Sequence, residues 1–311
     1  MLHIDTDVST NHRLELTRRV SLAACLLTLS CSMVQAYADD KTITWQVVDW
    51  PPINILNNGT TPVTAAQLGN GMVDREMAEL IAELPGYHHS FVLANIKRVW
   101  TSMANGENRC FASAFKTPER ENLAYFQAIT IIPAVTLVVR RDNKATAKLQ
   151  FPSVSLKHVV ENESGLTGDL ETMRSYGPAL DAILVNAGSR INRISTSYPG
   201  QLLHALDSGR MDFTLEYPMT VEYLQRQSQF KNQLDTIPLN DAAPLVIGYV
   251  ACTRNAWGAK SIADIGLAAR KSARKPSYRN AVRNWMPSAL VKHLYSQMEK
   301  FYDDLTNAKE Y

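Results

Sequence analysis

Two short loops carry opposite charges in matching settings. Lys116-Thr117-Pro118-Glu119-Arg120 follows the apolar run Cys110 to Phe115, and Glu216-Tyr217-Pro218 follows Met211 to Leu215. A helix-closing glycine turn precedes each run, Met103-Ala104-Asn105-Gly106 in one case and Leu206-Asp207-Ser208-Gly209 in the other. A planar guanidinium can donate two parallel hydrogen bonds to a carboxylate. Ligands of open α/β sheets gather beyond the carboxyl ends of the strands. If both runs are strands of such sheets, Arg120 from one unit and Glu216 from the other face a shared cleft. Arg98, close to Trp100 at a helix start, can reach the same place. Each residue also has a plain structural reading: a surface salt bridge from Arg120 to Glu119 or Glu121, a helix cap by Glu216 before Thr220, a solvated Arg98.

Other chemistries find less support. His88-His89 are adjacent, and neighbours on a strand point to opposite faces, whereas zinc needs three or four convergent ligands; no metal site is expected. Gly69-Asn70-Gly71 is followed by Asp74 where a dinucleotide fingerprint needs its third glycine, and there is no phosphate-loop lysine. No Gly-x-Ser-x-Gly elbow occurs. These readings leave no expected cofactor. The basic residues Arg270, Lys271, Arg274, Lys275, Arg279 and Arg283 read as a solvated helical face.

The elements that must position these residues follow from periodicity. Ile43, Trp45 and Val47 alternate in Thr42 to Asp49, a half-buried strand that Trp50-Pro51-Pro52 ends. Val73, Met77, Leu80, Ile81 and Leu84 fall on one face of a helix closed by Pro85-Gly86. His88 to Leu93, Arg98 to Met103 and Cys110 to Phe115 continue as strand, helix and strand, so a parallel sheet covered by helices is expected. An extended run, Thr130 to Arg140, leads to a polar turn. The theme then repeats: strand Leu166 to Thr172, helix Pro178 to Ala187, strand Ile191 to Ser195, helix Leu202 to Ser208, strand Met211 to Leu215. Leu245 to Cys252 reads as a strand returning to the first unit, with helices from near Ile262, Pro276 and Ser288. The expected organisation is a first lobe of residues 39–140 with 245–311 and an inserted second lobe of residues 141–244.

The amino terminus reads as a signal peptide. Arg18-Arg19 precede an apolar run from Val20 to Val34, and Ala36-Tyr37-Ala38 offers a small-x-small cleavage site. The run is short for a membrane span, and no second hydrophobic stretch approaches membrane length, so the mature chain is expected not to span a membrane. Removing residues 1–38 takes three arginines and three acids and leaves the net charge at +2. That balance predicts no nucleic-acid field. Cys25 and Cys31 leave with the leader; Cys110 and Cys252 remain in a chain bound for an oxidising compartment, where they form one disulfide or stay as two buried thiols.

Taken in order, these motifs resemble the family 3 extracellular solute-binding proteins, which serve ABC importers, and more closely a poorly characterised proteobacterial branch of them. The anchors are Trp50-Pro51-Pro52, Gly71 with Asp74, the turn at Gly106, Thr117-Pro118-Glu119-Arg120, Ser175-Tyr176-Gly177, Gly209-Arg210-Met211-Asp212 and the returning strand, spanning nearly all of residues 39–311. The resemblance implies a two-lobed type II periplasmic-binding-protein fold, each lobe a mostly parallel sheet flanked by helices, with two strand-like crossovers. It implies a monomer in the periplasm whose partners are a small-molecule solute and an ABC permease or a membrane sensor. It carries the ligand carboxylate onto Arg120 and the ligand ammonium onto Glu216. Trp50 becomes a flat cleft wall, and the helix start at Ser175, Tyr176 and Gly177 becomes an anion site. The sequence departs from the family at Ala114 and Phe115, where a hydroxyl residue is usual, and in having Glu rather than Asp at 216. The returning strand of that fold lies antiparallel beside the third strand, which pairs Cys110 with Cys252. The rival class is an enzyme on the same scaffold, a dehydratase or lyase of a carboxylated substrate. A sensor ectodomain or a peptidoglycan lyase would need a further domain.

Overall fold

The computed structural model describes residues 41–149, 153–161, 165–198, 200–227, 230–286 and 288–308. The expected leader and cleavage site, with Cys25 and Cys31, lie outside the described residues. Ten strands run in chain order: β1 Thr42–Val47, β2 His88–Leu93, β3 Cys110–Ala114, β4 Ala124–Pro133, β5 Thr136–Arg140, β6 Gly168–Glu171, β7 Ile191–Ile194, β8 Phe213–Glu216, β9 Leu234–Ile237 and β10 Leu245–Thr253. The helices are α1 Met72–Ala82, α2 Ile96–Ala104, α3 Pro118–Glu121, α4 Leu156–Glu161, α5 Pro178–Val185, α6 Gln201–Asp207, α7 Pro218–Arg226, α8 Ala256–Ser272, α9 Pro276–Arg283 and α10 Ser288–Asn307.

The strands form two five-stranded sheets, ordered β2-β1-β3-β10-β4 and β7-β6-β8-β5-β9. In the first, β1 runs parallel to β3 while β10 is antiparallel to both β3 and β4. In the second, β6 is parallel to β7 and β8 while β5 is antiparallel to β8 and β9. The reversed strands β10 and β5 are the ones that arrive from the other lobe. That exchange corrects the expected first boundary. The run Thr130 to Arg140 is two strands in two sheets, and the chain crosses at Ala134 and Val135, so Thr136–Arg140 belongs with the second sheet. The return crossing lies beside it, with Ala134 N donating to Pro244 O at 2.9 Å.

Helix α1 shows why the local sequence folds as it does. Its expected apolar face, Val73, Met77, Leu80, Ile81 and Leu84, is buried against the first sheet, each large side chain contributing about 1.5–3 kcal/mol. Gly71 is its N-cap, and the buried Asp74 accepts from Gly71 N at 3.0 Å, Ile55 N at 2.8 Å and Asn54 Nδ2 at 2.7 Å. Burial pushes the Asp74 carboxyl up despite these bonds. Gly69 and Gly71 are needed for close approach rather than for a nucleotide: a Cβ at Gly69 would stand 1.6 Å from Ile55 O, and one at Gly71 2.6 Å from Ile53 O. The loop after Trp50 is thus stitched to α1.

Cys110 and Cys252 are directly paired across β3 and β10 and are disulfide-bonded. Lys275 pairs with Glu79 and Glu83, Lys271 with Glu83, and Arg279 and Arg283 both pair with Glu299 at 2.7 Å, so much of the basic run is neutralised within the first lobe. No helix of the described residues is long and apolar enough to cross a membrane. His89 Nδ1 accepts from Trp45 Nε1 at 3.0 Å, which gives that histidine a structural partner.

Candidate functional site

The site is built from strand ends. Pro118 at the first turn of α3 lacks a donor that would be unpaired there anyway, and Thr117 caps the turn by accepting from Arg120 N at 3.3 Å. The Arg120 guanidinium stacks on Trp100 with its central carbon 4.3 Å from the ring centroid. It donates through Nη1 to Phe115 O at 3.2 Å and through Nη2 to Met173 O of the second lobe at 3.1 Å. It pairs with neither Glu119 nor Glu121; Lys116 takes Glu121 at 2.7 Å. Among the described residues Arg120 has no ion-pair partner. Burial pushes it down to about 10, with Asp181, Glu119 and Tyr217 opposing.

Glu216, the last residue of β8, meets a partner that the sequence reading missed. Arg174 donates to it twice, Nη1 to Oε2 at 2.8 Å and Nη2 to Oε1 at 2.7 Å, and the two side chains are only 7% and 12% exposed. Tyr217 N adds a third bond to Oε1 at 2.8 Å. Burial disfavours the Arg174 charge, but the Glu216 carboxylate outweighs it and raises the guanidinium pKa. The Arg174 central carbon lies 4.4 Å from the Trp50 ring centroid, 4.9 Å from Tyr176 and 5.3 Å from Tyr217. A signal for this pair did exist. Arg174 follows the end of β6 by three residues, Glu216 ends β8, and neighbouring parallel strands bring their carboxyl ends together.

One interlobe cavity gathers Trp50, Arg120, Arg174, Ser175 and Tyr217 over an apolar floor that includes Ile53, Met72, Phe111 and Ile132. A wider groove of about 530 Å³ shares Trp50 and Arg174 and adds the exposed Arg98 together with Glu171 and Glu216. Trp50, Arg120 and Ser175 of the expected residues therefore line one cavity, while Arg98 and Glu216 line the groove. Tyr176 and Gly177 line neither space. Their helix start is already occupied from within, because Asp181 accepts from Tyr176 N at 2.8 Å and from the Ser175 hydroxyl, and Ser175 Oγ accepts from Gly177 N at 3.2 Å. Burial pushes the Tyr176 phenol up to about 12. Among the described residues no group of three or more His, Cys, Asp or Glu could hold a metal ion.

No protein-family model matches the chain, and no curated protein matches it in sequence. Solved structures match it in shape. A putative L-cystine ABC transporter from Listeria monocytogenes superposes with a TM-score of 0.60 at 17% identity, over 80% of this chain and 96% of that one. The fold is that of the two-lobed periplasmic binding proteins. Tv2483 bound to L-arginine matches with a TM-score of 0.57 at 19% identity, over 83% and 94% of the two chains. The periplasmic VFT2 domain of Bordetella pertussis BvgS matches with a TM-score of 0.59 at 16% identity, over 81% and 96%. The fold expected from the sequence motifs is thus the fold observed, with two sheets joined by two crossing strands.

Proposed function

We propose that this chain is an exported solute-binding protein of the periplasm that closes its two lobes on a small carboxylate-bearing molecule and transforms nothing. The observation that carries the reading is Arg120, a desolvated cation that faces the interlobe cavity with carbonyl partners but no carboxylate of its own. A ligand carboxylate would supply the missing charge through a charge-assisted bond. The similar structures, which include a putative L-cystine ABC transporter, an arginine-bound protein and a histidine kinase sensor domain, support solute capture for ABC-type uptake or for sensing.

The enzyme reading has weaker support. Proton abstraction beside a carboxylate needs a free base in the cavity; among the described residues no Asp or Glu lines the cavity that holds Arg120, and Glu216 of the adjoining groove is committed to Arg174. Calorimetry against a panel of small carboxylates, followed by product analysis, tests the proposal. Saturable binding with unchanged ligand is the expected result, and turnover overturns it.

A further inference from the structure

Trp50, Tyr176 and Tyr217 surround the Arg174 guanidinium, and Glu216 closes one end with a two-point ion pair. An aromatic cage ending in a carboxylate is a receptor for an alkylammonium or guanidinium ion. Here the receptor is already full. Trp50 belongs to the first lobe and the other three to the second, so the cage is an interlobe device and not part of one lobe's core. Its charges sum to zero, which leaves Arg120 as the uncompensated charge on the cavity. One donor is also left over, because Arg174 Nε is buried and has no hydrogen-bond partner. Arg174 and Arg120 line the same cavity, and much of the remaining wall is apolar: Ile53, Met72, Ile96, Phe111 and Ile132.

We propose that Arg174 is a tethered occupant of the cleft's cation subsite, and that the protein consequently selects a small anion with an apolar body and no ammonium or guanidinium group, held by Arg120. The second half rests on the carboxylate reading of Arg120; the first does not. A ligand cation could enter only by displacing Arg174 from Glu216. Unpairing a buried ion pair costs roughly two to three powers of ten in an equilibrium constant, so free amino acids are excluded although both ends of the cleft bear suitable charges.

The test uses the whole exported protein, its Arg174→Ala variant, and three probes: butyrate, L-arginine and ethylguanidinium. In calorimetry and thermal melts the wild type should bind butyrate and ignore the two guanidinium compounds. Arg174→Ala should gain ethylguanidinium binding at millimolar concentration and bind L-arginine at least about tenfold more tightly than the wild type, a difference of about 1.4 kcal/mol. If the variant folds only with ethylguanidinium present, that rescue supports the subsite equally. Wild type that binds L-arginine as tightly as the variant does, or a folded variant indifferent to ethylguanidinium, overturns the tethered occupant. A variant that captures ethylguanidinium beside a wild type that binds no carboxylate upholds the occupied subsite and overturns the carboxylate reading instead.

Discussion

Arg120 Nη2 donates to the carbonyl of Met173 at 3.1 Å, one hydrogen bond that reaches from a turn of the first lobe to a left-handed residue, φ 65°, of the second. The cation proposed to hold the ligand is thus also a latch between the lobes. A ligand carboxylate that binds Arg120 would act on lobe closure directly, because it would engage the same guanidinium.

Arg120→Ala should therefore lose affinity far more than stability. Truncating one partner of a desolvated charge pair costs about 2–5 kcal/mol, or roughly 30- to 5,000-fold in affinity. Titrating a bound carboxylate into the variant checks this. Affinity within threefold of wild type, with a lowered Tm, would assign Arg120 to the latch alone.

Glu216→Gln should behave in the opposite way. It strands the Arg174 charge among Trp50, Tyr176 and Tyr217, and breaking one side of a buried pair costs about 3–5 kcal/mol. Urea denaturation should show a marked loss of stability. The double variant Arg174→Met with Glu216→Gln should recover much of it, since well-packed apolar replacements of buried pairs are often neutral.

Reducing Cys110–Cys252 should destabilise the first lobe. The bond closes a loop with a sequence separation of 142, for which the chain-entropy model gives about 4–5 kcal/mol as an upper figure. Paired melts of oxidised protein and of a Cys110→Ser, Cys252→Ser double variant measure it. Equal Tm values would show that the pairing of β3 with β10 needs no covalent tie.

The first lobe should also lose stability as pH rises. Glu76 is fully buried, neither carboxylate oxygen meets a donor in hydrogen-bond geometry, and burial pushes its carboxyl up to about 8, with Thr130 and Tyr302 offsetting only part. The folded state then holds a proton that the unfolded chain releases near pH 4.5, so the contribution is complete below that value and falls away as pH climbs through 8. The loss accumulated by pH 8 is on the order of 4 kcal/mol. Glu76→Gln should flatten the dependence of Tm on pH between 5 and 8; an unchanged slope would assign the dependence to other groups.

Gly69→Ala should cost about 2 kcal/mol or more, because its Cβ would overlap the Ile55 carbonyl and force the loop off α1. Gly86→Ala, with nothing within 4 Å, serves as the control. Denaturant midpoints for the two variants decide between close packing and mere loop flexibility.

What the sequence determined alone was local and periodic. The face of α1, the glycine turns at Gly106 and Gly209, the proline-led starts of α5 and α9, and the alternation of β1 are short-range consequences of backbone and side-chain chemistry, and each stands where the pattern put it. The order of motifs also carried the fold and, through the resemblance it suggested, the cysteine pair. Tertiary structure decided what depends on which strands become neighbours. Between Ile131 and Val139 only Pro133 hints at the point where one extended run leaves the first sheet for the second, and a proline is equally at home in an edge strand; both parts are otherwise apolar and buried. The commitment of Glu216 to Arg174 was hidden for the same reason: residues 42 positions apart meet only because β6 and β8 lie side by side. Charge and position made Glu216 a candidate for binding a cation, and only the assembled sheet shows that the cation is the protein's own.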